Sequence, residues 1–123
     1  MTDKYILNGH EPVPCNDIHI WGKWFNDANR HVAQTQINEE THVSTVFLGI
    51  DHNWSRNGPP TLFETIVFND VREEREFVGH KYTTIGEEMA CERYSTKDDA
   101  LIGHERHVKL LNEKLDYAEA VSK

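Results

Sequence analysis

Cysteine is scarce in this 123-residue chain, with only Cys15 and Cys91 present, too few for a disulfide framework. A reducing cytoplasm is the expected compartment, and the opening Met-Thr-Asp-Lys-Tyr-Ile-Leu has no signal-peptide apolar core. Long hydrophobic runs are missing as well, and none approaches the roughly 18 residues of a membrane span. Basic residues are outnumbered, with 13 Lys and Arg against 21 Asp and Glu and a formal charge of −8. That deficit argues against a nonspecific hold on nucleic acid or anionic lipid, since either needs surplus cations. There is no Gly-rich phosphate loop, no Gly-x-Ser-x-Gly elbow and no basic-aromatic nucleic-acid motif, so no cofactor is expected. Repeats, low-complexity tracts and linkers are also absent, and the length suits one domain around one core.

What is present favours a folded chain. Charged residues make up 28% of the sequence, yet three Trp, five Phe and four Tyr supply large apolar surfaces. The excess acid is dispersed through residues 38–92, which fits a solvated acidic surface better than a nucleic-acid mimic with carboxylates at phosphate-like spacing.

The most legible stretch is 43–68, where residues 43–50 and 62–68 read as two strands joined by a polar link at 51–61. Alternation puts Val46, Leu48 and Ile50 on one side of the first strand and Val43, Thr45 and Phe47 on the other. Leu62, Ile66 and Phe68 oppose Phe63 and Val67 on the second strand, so both faces of this pair carry apolar residues. Such a sheet asks for cover on both sides, from two helices or from one helix and a second subunit. Residues 30–37 suit a preceding strand, which makes an antiparallel meander.

Residues 1–15, with Gly9, Pro12 and Pro14, read as an extended arm or edge strand. Asn16 or Asp17 can cap a short helix whose stripe is Ile18, Trp21, Trp24, Phe25 and Ala28. Residues 71–92 are acidic and poorly periodic, with an irregular strand expected at 77–84 and another at 89–94. Ser95, with Asp98 three residues on, is the expected cap of a long helix over 96–120. Its seam is Ala100, Leu101, His104, Val108, Leu111, Leu115 and Ala118. The expected fold is α+β: a three- to five-stranded antiparallel sheet with a short N-terminal helix and a long C-terminal helix.

Eight histidines invite a metal hypothesis. His104 and His107 stand at i and i+3 on a helix, one residue short of the His-Glu-x-x-His pattern, and a third ligand would have to come from Asp51 or His52. No resident metal is expected, and structural roles suit both histidines better, with His104 inside the seam and His107 at its edge. The 51–60 link is too long for a minimal hairpin and is rich in recognition chemistry. Asp51 and His52 offer an acid-base pair, Trp54 an aromatic contact and Arg56 an anion partner. The competing reading is a chain reversal in which Trp54 folds over the sheet end. Glu64, between Leu62 and Ile66, is a carboxylate whose burial would raise its pKa. His52, Glu64 and His104 are therefore the candidate catalytic residues, and Asp51, His52, Trp54 and Arg56 the candidate binding residues. Arg30 and Tyr94 are candidate structural partners for Glu64, and neither cysteine has a Cys-His spacing that supports a nucleophile.

The patches Ser44-Thr-Val-Phe-Leu-Gly-Ile-Asp-His52, Gly58-Pro-Pro-Thr-Leu-Phe-Glu-Thr65, Glu92-Arg-Tyr-Ser-Thr96 and Gly103-His-Glu105 resemble a recurrent family of small proteins encoded in bacteriophages and prophages. The resemblance covers most of the chain, although residues 71–92 are longer and more acidic than the usual connection. That family has no assigned activity, so no catalytic residue follows from it. It implies a phage accessory protein in a bacterial cytoplasm. The leading expectation is thus a non-enzymatic, homo-oligomeric protein that binds a host or phage macromolecule. The alternatives are a metal-dependent or acid-base enzyme and a virion structural or assembly component.

Overall fold

The computed structural model describes residues 2–55, 57–69, 73–84 and 87–113. The elements run β1 (Tyr5–Asn8), β2 (Glu11–Pro14), α1 (Ile18–Asp27), β3 (His31–Gln36), β4 (Thr41–Phe47), β5 (Phe63–Asn69), β6 (Glu73–Phe77), β7 (His80–Thr84), β8 (Glu87–Tyr94) and α2 (Lys97–Asn112). The fold is α+β, with a four-stranded antiparallel sheet in the order β3-β4-β5-β8 and two separate hairpins, β1-β2 and β6-β7.

Register explains how the sheet receives its cover. Thr45 pairs with Thr65 and Thr65 with Glu92, while one rung away Phe47 pairs with Phe63 and Phe63 with Tyr94. Residues directly opposite share a face, so Val43, Thr45, Phe47, Phe63, Thr65 and Val67 all point the same way, and all are buried. Helix α2 lies on this face and contacts all four strands. The opposite face carries Ser44, Val46, Glu64, Ile66, Cys91 and Arg93, and several of its side chains pair with one another. Gln34 Nε2 donates to Ser44 Oγ at 2.8 Å, Arg93 Nε donates to Glu64 Oε2 at 2.8 Å, and His42 stacks on Phe68 with centroids 4.9 Å apart.

The core is in two pieces. Phe47, Leu62, Phe63 and Ala100 form one cluster, against which Tyr5, Leu7, Trp24, Val32 and Tyr94 pack. Val43 and Val67 form the other, with Ile37, Ala90, Val108, Leu110 and Leu111 around them. Between them runs the rung of Thr45, Thr65 and Glu92. Full burial of each large apolar side chain contributes about 1.5–3 kcal/mol.

Helix α1 begins where Asp17 Oδ1 accepts from the amides of His19 and Ile20 at 2.9 and 3.2 Å. Its aromatic stripe seats on the first hairpin and the sheet end. Trp21 Nε1 donates to the carbonyls of Tyr5 and Gly49 at 3.2 and 3.0 Å, and Trp24 meets Phe47 edge-on at 5.7 Å. Phe25 stacks on Trp21, lies under the Arg30 guanidinium at 3.8 Å, and presses on Gly49. Gly49 has φ +76, and a Cβ there would lie 3.0 Å from the Phe25 ring, so glycine is required on both counts. Ile18, expected in the stripe, is instead 59% exposed.

Three further expectations are corrected. The cap of α2 is Thr96, whose Oγ1 accepts from Asp99 N at 3.1 Å, one residue later than the Ser95 and Asp98 pairing. Residues 77–84 do not form one strand: Val78 and Gly79 are the two turn residues between β6 and β7. The seam of α2 is rotated, with His107 fully buried and Leu101 36% exposed. The rotation follows from Ala100 and Gly103, whose small size lets the helix approach the sheet over Tyr94. Leu115 and Ala118 lie outside the described residues.

Candidate functional site

The 51–60 loop is built from short polar side chains that bind its own backbone. Asp51 Oδ1 accepts from the amides of Asn53 and Thr61, each at 2.8 Å. Asn53 Nδ2 donates to the carbonyls of Asn57 and Pro59 at 2.7 and 3.0 Å. Its Oδ1 takes the Ser55 hydroxyl at 2.6 Å. His52 donates its amide to Thr61 O at 2.9 Å and its Nδ1–H to Ile50 O at 2.8 Å. Below, the Asp51 amide is tied to Asp3 O at 2.7 Å, which pins the loop base to the N-terminal arm. Trp54 is displayed on this frame at 67% exposure, its ring 5.2 Å from that of His52. It does not fold back over the sheet end. Arg56 lies outside the described residues.

An open cleft of about 570 Å³ begins at the closing residues of the loop, Pro59 and Thr61, and runs to Tyr94, Ser95, Ile102 and Arg106. Ile102 stands on its rim at 68% exposure. Loop and cleft therefore form adjoining surface, part aromatic and part polar.

Beneath α2 lies a second polar assembly. His104, 1% exposed, is held between two hydroxyls, with Thr35 Oγ1 2.8 Å from Nε2 and Thr45 Oγ1 2.8 Å from Nδ1. Thr45 and Thr65 share a hydrogen bond of 2.5 Å. Burial pushes the His104 imidazole below the usual histidine range. One helical turn on, His107 Nε2 faces Glu92 Oε1 at 3.1 Å. Glu92 also receives hydrogen bonds from Arg106 and, at 3.0 Å, from the Tyr94 hydroxyl. Burial would raise the Glu92 carboxyl, but the donors Arg106 and Tyr94 and the facing His107 outweigh it and hold it below the usual range. For His107, burial outweighs the pull of Glu92, and its pKa too is lowered. The Tyr94 hydroxyl is pushed up to about 12 by burial and by Glu92, so it acts as a donor.

The candidate catalytic residues are not brought together. Glu64 sits on the open face of the sheet, paired with Arg93 rather than Arg30 or Tyr94, whereas His104 is under α2 on the other face. Asp51 and His52 are each engaged with backbone, in place of an acid-base pair. For His104 as a ligand, both ring nitrogens are already hydrogen-bonded to threonines. Among the described residues no group of three or more His, Cys, Asp or Glu is placed to hold a metal ion. The Cys91 thiol is pushed up to about 11 by burial and by Glu64, which disfavours the thiolate at neutral pH.

Sequence reasoning passed over Thr35, Thr45, Thr65, Glu92 and Gly103, which together decide how α2 sits. The signal was there in the alternation Val43, Thr45, Phe47, a polar residue inside an apolar face that demands a buried partner. Compared with protein-family models, with curated proteins and with solved structures, the chain matches none. No helix among the described residues is long and apolar enough to cross a membrane.

Proposed function

We propose that this chain is a non-enzymatic accessory protein, encoded by a phage or prophage, that recognises a host or phage protein in the bacterial cytoplasm through the 51–60 loop. The observation that carries this reading is Trp54, 67% exposed on a loop whose own side chains hold its backbone in place. A large aromatic on a preorganised loop loses little conformational entropy on binding, which is the physical profile of an interface anchor. The acid-base groups of the loop brace backbone, which favours recognition over chemistry. With a net charge of −8, the chain suits a partner whose apolar pocket is rimmed by basic groups. Self-association into a homo-oligomer belongs to the same reading.

The test compares capture from host and infected lysates by the wild-type chain and by Trp54→Ala, with both shown to be equally folded by circular dichroism. A phage or host protein retained by the wild type and lost by the variant supports the proposal. Identical sets of retained proteins would overturn the assignment of the loop.

A further inference from the structure

Among the apolar features that the described residues leave open to solvent, two are complementary. The first is the tip of the β6-β7 arm, where Phe77 is 71% and Val78 80% exposed. The arm is paired only with itself among the principal packing contacts of the described elements. Its five residue pairs, Glu73↔Thr84 to Phe77↔His80, make a ribbon about 17 Å long. Val78 and Gly79 form a two-residue turn with φ +51 and +78, the mirror-type turn that normally takes Asn, Asp or Gly at its first position. A β-branched residue is strained there. The chain thus places an exposed valine where folding alone favours a small polar residue.

The second feature is an open groove of about 490 Å³ on the outer side of α1, lined by Ile20, Lys23, Trp24, Asp27 and Ala28. Ile20 on its edge is 59% exposed. Ile20, Trp24 and Ala28 follow one another at four-residue spacing as its apolar lining, with Lys23 and Asp27 as a cation and an anion beside them. The arm carries the matching pattern, because directly behind the apolar tip Glu76 and Lys81 stand opposite each other across the ribbon.

We infer that the arm of one chain docks in the α1 groove of a second copy, reciprocally, to form a twofold dimer. Phe77 and Val78 fill the groove, Glu76 meets Lys23 of the other copy, and Lys81 meets its Asp27. A lipid surface is a poor alternative occupant, since the strand that leads to the tip is Glu-Glu-Arg-Glu-Phe and the whole chain is acidic. Each contact seats only two large apolar side chains, so two reciprocal contacts make a small interface, below the roughly 1,000 Å² of a stable specific one and in the range of weak association. A weak dimer of this kind dissociates at roughly tens to hundreds of micromolar. This inference rests on the homo-oligomer half of the proposed function and is independent of Trp54.

The experiment is sedimentation velocity from about 5 to about 500 µM, a span that brackets the expected dissociation constant. The wild type should shift from monomer to dimer. Phe77→Ser/Val78→Asn, which eases the turn while removing the apolar tip, should weaken association at least about tenfold. Ile20→Glu, at an exposed position of α1, should do the same from the groove side. A mixture of the two variants retains one intact tip facing one intact groove, and it should associate more strongly than either variant alone. A wild type that stays monomeric throughout overturns both the dimer and the homo-oligomer reading. A dimer that survives both variants, or a mixture no tighter than its components, overturns arm docking and leaves self-association standing.

Discussion

Replacing Gly103 by Ala tests the account of how α2 meets the sheet. In an exposed helix interior the change stabilises by about 1 kcal/mol, because alanine has the higher helix propensity. Here an added Cβ would lie 2.0 Å from the Tyr94 hydroxyl oxygen, 2.4 Å from Cζ and 2.8 Å from Cε1. Relief requires the helix to lift or the tyrosine ring to swing aside. Lifting opens the apolar cluster around Phe47, Phe63 and Ala100, while swinging breaks the hydroxyl's 3.0 Å bond to Glu92. Overpacking costs about 1–3 kcal/mol, and loss of a hydrogen bond to a charged group about 1.5–3 kcal/mol. Either route, set against the propensity gain, leaves a net destabilisation of about 1 kcal/mol. With a urea m-value near 1.5 kcal/mol/M, the unfolding midpoint should fall by about 0.7 M. In a Tyr94→Leu background the obstructing atoms are gone, and Gly103→Ala should be neutral or stabilising by up to about 1 kcal/mol. A midpoint that rises in the wild-type background would refute this packing arrangement.

Acid should weaken the fold through the two buried imidazoles under α2. His104 faces Thr35 and Thr45 from β3 and β4, and His107 faces Glu92 from β8, with Arg106 and Glu105 on their own helix. Both folded-state values are lowered, so the unfolded chain takes up protons first. Their contribution is complete above about pH 6.5 and is lost below it at about 1.4 kcal/mol per pH unit for each histidine, until the folded protein protonates too. Urea midpoints measured between about pH 8 and about pH 5 should show this slope, and His104→Gln should remove about half of it; a flat profile would contradict the burial of these rings. Thr45→Val strands His104 Nδ1 and should cost about 1–3 kcal/mol by chemical denaturation, whereas Thr45→Val with Thr65→Val and His104→Leu should recover most of that loss. Metal analysis of untagged protein should find no stoichiometric zinc, manganese or iron, and a chelator should leave the melting temperature unchanged, because the His104 nitrogens are already occupied.

The meander and both helices were legible because their signals are local. Strand alternation in 43–47 and 63–68 separates the two faces without reference to anything distant. Asp17 announces the start of α1 by the ordinary chemistry of an N-cap. The arm was harder to read: Val78 in a mirror-type turn runs against local preference, so a hairpin looked like one irregular strand. For the loop, its composition marked 51–60 as a candidate recognition segment, but composition did not say which way Trp54 faces. That orientation follows from Asp51 and Asn53 reaching across the loop to Thr61, Asn57 and Pro59.

By itself, the sequence determined the α+β class, an antiparallel pair of strands within residues 43–68, the acidic character and the presence of two amphipathic helices, since each of these depends on neighbours along the chain. Tertiary structure decided the rest. It buried His107 rather than Leu101 because Gly103 lets the helix settle over Tyr94, a meeting of residues from two elements that no periodicity encodes. It also parted Glu64 from His104, because successive residues of a strand face opposite ways, and α2 covers only the face that carries Thr65.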